Sequence, residues 1–303
     1  MYTCREELRA RLNDGEYTNW LKAGRCLLIL KSGLLPFASQ HMREFHGALL
    51  RGDPLLRRRC ETDACRPRGN KLSCACRVCT WWQTAIMRHH RQPGSTVNWD
   101  NCCPPSWRTD YWEVAKAYMP RGQGKVKGAD QCDASALLNL INCCDRFQSV
   151  DPKLVREVIR YRNELMHSCE FRMKDDWMRR YQKTLKHFVL QFSHVPQMAT
   201  ASQEIDEMLT VDLSVCVSGS DRLDGLKFDA VHESATADHP ISQWEAELLQ
   251  ERLQELLHVD DDDAKTRDTE QLKSLGAFLR FNSDLGIRFS AELQTIDSLL
   301  ARQ

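Results

Sequence analysis

Two sets of side chains in this 303-residue chain have types and spacings that could do chemistry. The first is Arg162-Asn163-x-x-x-His167, within the stretch Val-Ile-Arg-Tyr-Arg-Asn-Glu-Leu-Met-His. Arg162 is a permanent cation suited to a phosphate. Asn163 can both donate and accept hydrogen bonds, and His167 exchanges protons near neutral pH. Those three groups are what a metal-free RNA-cleaving site requires. The second set is Cys60, Cys65, Cys76 and Cys79, with Cys74 as a spare, in the spacing of a four-thiolate zinc site. Between residues 57 and 76 the only large apolar side chain is Leu72, so burial cannot order the segment and a zinc ion would supply the missing cross-link. The alternative is a flexible basic loop with adventitious cysteines. His89, His90, Cys102 and Cys103 lie close enough in sequence to replace a ligand. Four protein ligands leave no open position, which makes the predicted role structural.

The elements that must position these groups are helical almost throughout. At 100° per residue, Leu154, Val155, Val158, Ile159, Tyr161, Leu165 and Met166 share one apolar face. Arg162 falls in the middle of that face, where a guanidinium is costly unless something accepts its donors. Asn163 and His167 fall on the flank. Asp151-Pro152 forms an N-cap and first turn for this helix. Other helices are predicted over 4–13, 16–34, 36–50 (opened by Pro36), 81–90, 112–118, 133–147, 175–193 and 199–214. Three further amphipathic stretches cover 242–258, 268–281 and 284–301. The fold class read from this is all-α: a helical bundle with a cysteine-rich insertion and a C-terminal helical hairpin or coiled-coil tail. The predicted boundaries are a bundle at 1–198 with the insertion at 51–110, a short helix at 199–216, a linker at 217–240 and an acidic amphipathic tail at 241–303.

Formal net charge is zero, yet residues 1–200 hold 33 Lys and Arg against 20 Asp and Glu, and residues 201–303 hold 9 against 22. A basic body with an acidic tail suggests affinity for a polyanion, for the tail itself, or for both; two solvated surfaces of opposite sign are the bland alternative. The charged N-terminus has no signal-peptide pattern, and no apolar run reaches membrane-spanning length. A cytoplasmic or nuclear protein is expected, with its 14 cysteines as buried thiols or metal ligands rather than disulfides. Trp81, Trp82, Trp99, Trp107 and Trp112 could stack bases but are expected to pack the cysteine-rich insertion onto the bundle. The glycine-rich basic stretch 121–128 lacks phosphate-loop spacing and reads as a mobile surface loop.

Arg162, Asn163 and His167, followed by the aromatic helix from Trp177 to Phe192, resemble the signature of the HEPN superfamily, most closely its branch in animal ubiquitin-ligase and innate-immunity proteins. That resemblance covers about residues 16–195. It implies metal-independent RNA cleavage through a cyclic phosphate, with two protomers facing each other to complete the site. It also implies a polar or acidic partner on a preceding helix, for which Asp133, Asn142 and Asp145 are candidates. A second resemblance spans nearly the whole chain. Asn19-Trp20-x-Lys22-Ala23-Gly24, Arg88-His89-His90, Trp112 to Ala117 and Met119 to Gly122 look like an uncharacterised family of vertebrate X-chromosome open-reading-frame proteins, which implies kinship and no chemistry. The partners expected are RNA, a second copy of the chain, and proteins docking on the C-terminal helices. The alternative function is a non-catalytic adaptor with a vestigial Arg-Asn-x-x-x-His motif.

Overall fold

Periodic apolar spacing becomes twelve α-helices in the computed structural model, which describes residues 4–68, 70–72, 76–91, 97–214, 240–257 and 269–301. They are α1 (Cys4–Leu12), α2 (Gly15–Gly52), α3 (Arg77–Arg88), α4 (Tyr111–Ala115), α5 (Ala134–Cys143), α6 (Pro152–Met166), α7 (Asp175–Leu190), α8 (Pro196–Thr210), α9 (Pro240–Leu257), α10 (Thr269–Phe281), α11 (Ser283–Arg288) and α12 (Ser290–Leu300). Among the described residues there is no strand, only isolated bridges pairing Arg68 with Lys71 and His90 with Cys144. The fold is all-α. The spare ligand Cys74, the predicted linker apart from its last residue, and the Asp260–Asp263 run lie outside the described residues.

The two predicted helices that meet at Pro36 are one. Helix α2 runs for 38 residues with Pro36 inside it. An interior proline costs a helix about 3 kcal/mol. Here Leu34, Phe37, Ala38 and Met42 are all buried around it, and burying such side chains is worth about 1.5–3 kcal/mol for each large one. Packing outweighs the lost backbone hydrogen bond, a balance that local propensity cannot register. The last predicted stretch differs in the opposite sense: 284–301 is broken at Phe289 into α11 and α12.

The described residues form two compact units. One comprises residues 28–162 and 184–203; the other comprises residues up to 27, 163–183 and 204 onward. The first unit buries Phe37, Trp82, Trp107, Trp112, Leu137, Ile141, Val158 and Phe188. Phe37 meets Phe192 edge-on at 5.1 Å between ring centroids. Its glycine-rich stretch is pinned rather than loose. Buried Asn101 donates to the carbonyls of Pro120 (2.8 Å) and Lys116 (3.1 Å) and accepts from the backbone of Gln123 (3.0 Å). The Lys116 ammonium donates to the Gly124 carbonyl at 3.0 Å. The stretch is a surface loop as expected, and the side chains that hold it, Asn101 and Lys116, lie upstream of it.

The second unit is built round a buried ion-pair network. Arg11 donates to Glu245 through Nε (2.7 Å) and Nη2 (2.8 Å), and to Asp284 and Asn282. The Tyr17 hydroxyl donates to the same Glu245 carboxylate. Glu245 is fully buried. Burial works against the Arg11 cation, but its hydrogen bonds to Asp284 and Glu245 overturn that and raise its pKa. Burial lifts Glu245 above the ordinary carboxylate range, with Arg11 offsetting part of the rise. In this unit α12 packs against α9 and α10, so the C-terminal helices form a short cluster that shares a core with α1.

Candidate metal centre and nucleic-acid interface

Four thiols converge in the first unit. Cys60, Cys65, Cys76 and Cys79 are all buried, and their sulfurs all lie within 4.8 Å of one another. A zinc ion with Zn–S bonds of about 2.3 Å holds its thiolates at comparable separations. The supply of hydrogen bonds to sulfur also fits a thiolate site. The backbone N–H of Glu61 donates to Cys76 Sγ at 3.3 Å, and the Thr62 hydroxyl lies 3.5 Å from Cys65 Sγ. Burial pushes the Cys60 thiol up, and the Thr62 backbone N–H with the Cys79 and Cys65 thiols more than reverses this, bringing it down to about 7. Burial and the neighbouring sulfurs drive Cys79 the other way. The spacing read from the sequence is the set that assembles, and the substitutes do not join it. His89 Nδ1 faces Asp145 at 2.8 Å instead, and burial holds Cys102 above its ordinary value.

The segment that carries these cysteines is rich in cations. Residues 51–91 carry ten Arg and Lys against three Asp and Glu. Arg51, Arg57, Arg58, Arg59, Arg66, Arg68, Lys71, Arg77 and Arg88 are exposed. None of them forms an ion pair with a carboxylate among the described residues. Arg57 instead caps the end of α2, donating to the carbonyls of Leu50 (2.6 Å) and Arg51 (3.2 Å). The three acids are occupied in local structure or stand at its edge: Asp53 caps a short 3-10 turn at the Leu55 N–H (2.9 Å), and Glu61 accepts from the Arg77 backbone N–H at 3.3 Å. Asn70 takes the left-handed conformation (φ 58°) in the turn closed by Arg68 and Lys71, a conformation asparagine tolerates. Backbone turns and sulfur shape this segment, and its surface is left to charge.

The Arg-Asn-x-x-x-His string is divided between the units at Arg162. The Asp151 side chain accepts from the Lys153 N–H at 2.8 Å, so α6 starts with the predicted cap. Its apolar face is buried as predicted at Val155, Val158, Tyr161, Leu165 and Met166. Arg162 is 3% exposed and its Nη2 lies 2.9 Å from Asp133 Oδ2. The other Asp133 oxygen caps α5 through the Ala136 N–H at 2.8 Å. Of the three candidate partners, Asp133 is the one that meets Arg162: Asp145 faces His89, and Asn142 is buried beside Cys143. In the second unit Asn163 is exposed, and His167 is 43% exposed. His167 Nδ1 meets the Gln271 side-chain amide at 2.8–3.0 Å, and its Nε2 lies 3.9 Å from Glu255. The next residue's carbonyl, that of Ser168, accepts from buried Arg252 at 2.7 Å. Partners 84 to 104 residues downstream could not be read from the local string.

The tryptophan cluster splits as well. Trp82, Trp99, Trp107 and Trp112 are core, in line with the packing expectation, whereas Trp81 is 38% exposed on α3. A sequence signal for this existed: adjacent positions on a helix point about 100° apart, so two neighbouring indoles do not share one direction. No described helix is long and apolar enough to cross a membrane. The thiols assigned among the described residues are all free.

Residues 11–302 match the family model described as "Domain of unknown function (DUF4559)". The chain is also 40% identical over 298 residues to a Mus musculus protein described as "Uncharacterized protein CXorf38 homolog", covering 97% of this chain and 92% of that one. No solved structure matches. With both the family model and this relative spanning nearly its whole length, the chain belongs to the DUF4559 family.

Proposed function

We propose that this protein is an RNA-associated, HEPN-like helical protein whose cysteine module carries one structural zinc and presents a polyanion-binding surface. The carrying observation is the set of exposed arginines, none paired with a carboxylate among the described residues, in the segment that carries the four thiols. Unpaired cations on a surface keep their full attraction for phosphates, and each one neutralising a phosphate releases counterions. Cys60, Cys65, Cys76 and Cys79 would hold the zinc, which supplies cross-linking and no open coordination position.

The motif on α6 fits this reading as a structural tie. Arg162 already has a carboxylate and is out of water, and breaking a buried pair to reach a phosphate would be expensive. Cleavage by Arg162, Asn163 and His167 as a two-fold dimer is the second reading. It is favoured by the selection of Asp133 as the acidic partner and by the accessibility of His167.

One experiment separates them. RNA turnover is followed in chelator-free and chelator-treated samples for the native chain and His167→Ala. Salt-dependent RNA binding without a cyclic-phosphate product is the expected result. A cyclic-phosphate product lost in His167→Ala would establish cleavage instead. Absence of RNA binding at low salt by the zinc-loaded chain would refute the RNA reading and leave the adaptor alternative, for which exposed Phe281 and Ile287 on α10 and α11 are the available apolar contacts.

A further inference from the structure

We infer that the outer face of α3 is a binding stripe for single-stranded RNA, with Trp81 stacking on a base and Arg77 and Arg88 holding flanking phosphates. This rests on the RNA reading above and gives it a specific site. At 100° per residue, Arg77, Trp81, Thr84 and Arg88 fall within about 60° of one another, one continuous stripe about 17 Å long. All four are exposed. The opposite side of the helix buries Val78, Cys79, Trp82 and Ile86, so the stripe cannot rotate inward.

A tryptophan left partly in water is unusual beside four that are buried in the same region, since an indole ordinarily gains by burial. Its surroundings fit a nucleic acid rather than an apolar partner. The stripe carries a cation at each end, and neither Arg77 nor Arg88 is paired with a carboxylate among the described residues. Met87, 54% exposed, lies at its edge, offering a polarisable contact to a base or sugar. Glu61 is the nearby acid, and its carboxylate is engaged at the Arg77 backbone N–H. The helix is also held firmly where it begins, since Cys76 and Cys79 belong to the thiol cluster. Interleaved aromatic and cationic side chains on a fixed support are the arrangement by which single strands are bound without sequence preference. A duplex keeps its bases stacked on each other, so Trp81 has nothing to stack on there.

The test uses the zinc-loaded full chain and two labelled probes, a twelve-nucleotide oligouridine RNA and an RNA duplex, titrated by fluorescence anisotropy at several salt concentrations. Trp81→Ala is expected to weaken oligouridine binding by about tenfold, to leave the salt slope unchanged, and to leave duplex binding unchanged. Trp81→Phe keeps most of the affinity. Arg88→Ala lowers the oligouridine salt slope by about 0.7. Zinc content, measured alongside, stays at the native value; Trp81→Ala lowers the thermal midpoint modestly, since the indole is only 38% exposed, and Trp81→Phe separates that loss of packing from loss of stacking. If Trp81→Ala binds oligouridine like the native chain while loss of Arg58, Arg59 and Arg66 weakens binding, the stripe is wrong and the RNA reading stands. Equal weakening of single strand and duplex also overturns stacking. If the native chain binds neither probe, the RNA reading fails and takes the stripe with it.

Discussion

The helical cores and the cysteine module treat arginine in opposite ways. In the cores, cations are buried opposite carboxylates: Arg11 with Glu245 and Asp284, Lys116 with Glu113, and Arg162 with Asp133. In the module, cations stand in water and none of the exposed ones reaches a carboxylate among the described residues. Between residues 57 and 76 the module has only Leu72 as a large apolar side chain, and the four clustered thiols stand where leucines and phenylalanines stand elsewhere. The contrast teaches where function is to be sought. A matched buried pair is internally satisfied and contributes to a unique fold, whereas an unmatched surface cation retains its pull on a partner.

Removing the proposed zinc should break the comparison most severely. A structural zinc is worth about 10–16 kcal/mol of apparent folding free energy in small zinc domains. Chelation or Cys79→Ser is therefore expected to unfold the module and abolish RNA binding. Elemental analysis should find one zinc per chain, and chelation should leave most of the full chain's helical circular dichroism, because most helices lie outside residues 51–91. No zinc in a folded, RNA-binding preparation would refute the metal.

Breaking a core pair comes next. Glu245→Ala removes two of the Arg11 hydrogen bonds and leaves its pair with Asp284, so the loss should be no more than about 3–5 kcal/mol, the cost of a fully broken buried pair. Urea unfolding should show that loss while zinc content is retained. A smaller version of the same experiment uses acid. A carboxylate whose folded pKa lies below its unfolded value stabilises the fold above that value, and the stabilisation is lost as pH falls through the folded pKa. Asp284 and Asp14 are of this kind: burial raises each, and hydrogen bonds (from Arg11 in one, from the Tyr17 backbone and Arg172 in the other) bring each below 3.8. The unit holding Arg11 should lose stability below about pH 4. Glu245 has the opposite sign, so its protonation softens that loss.

The smallest stability effect belongs to the module's surface. Arg58, Arg59 and Arg66 changed together to alanine should shift stability by no more than about 0.5 kcal/mol per site. The same triple variant should lower the salt slope of RNA binding by about 2. A melting loss comparable with that of Glu245→Ala would show that these arginines serve the fold, and the comparison would collapse. The network around Glu245 also redirects an idea suggested by the charge division. Deleting residues 217–303 to release an inhibitory tail would instead remove the partners of Arg11, so lowered stability, rather than a clean gain in RNA affinity, is expected.

The spacing of Cys60, Cys65, Cys76 and Cys79, the apolar face of α6 and the Asp151 cap were legible because each is a short-range pattern with its own physical period. The string Arg162-Asn163-x-x-x-His167 was legible as a string, and Arg162 was recognisable as a charge at a core position. Its partner was open among three residues, because a helix face says that a partner is needed and not which loop delivers it.

What the sequence by itself determined is therefore helix content, the set of four cysteines that cluster and the presence of a misplaced guanidinium, all properties of local spacing. What only the tertiary structure decided is which side chains meet. It gave Asp133 to Arg162, gave Gln271 and Glu255 to His167, kept α2 whole through Pro36, and left Trp81 outside while Trp82 went in. Each outcome is set by the sum of packing around a position, to which residues far along the chain contribute as much as neighbours do.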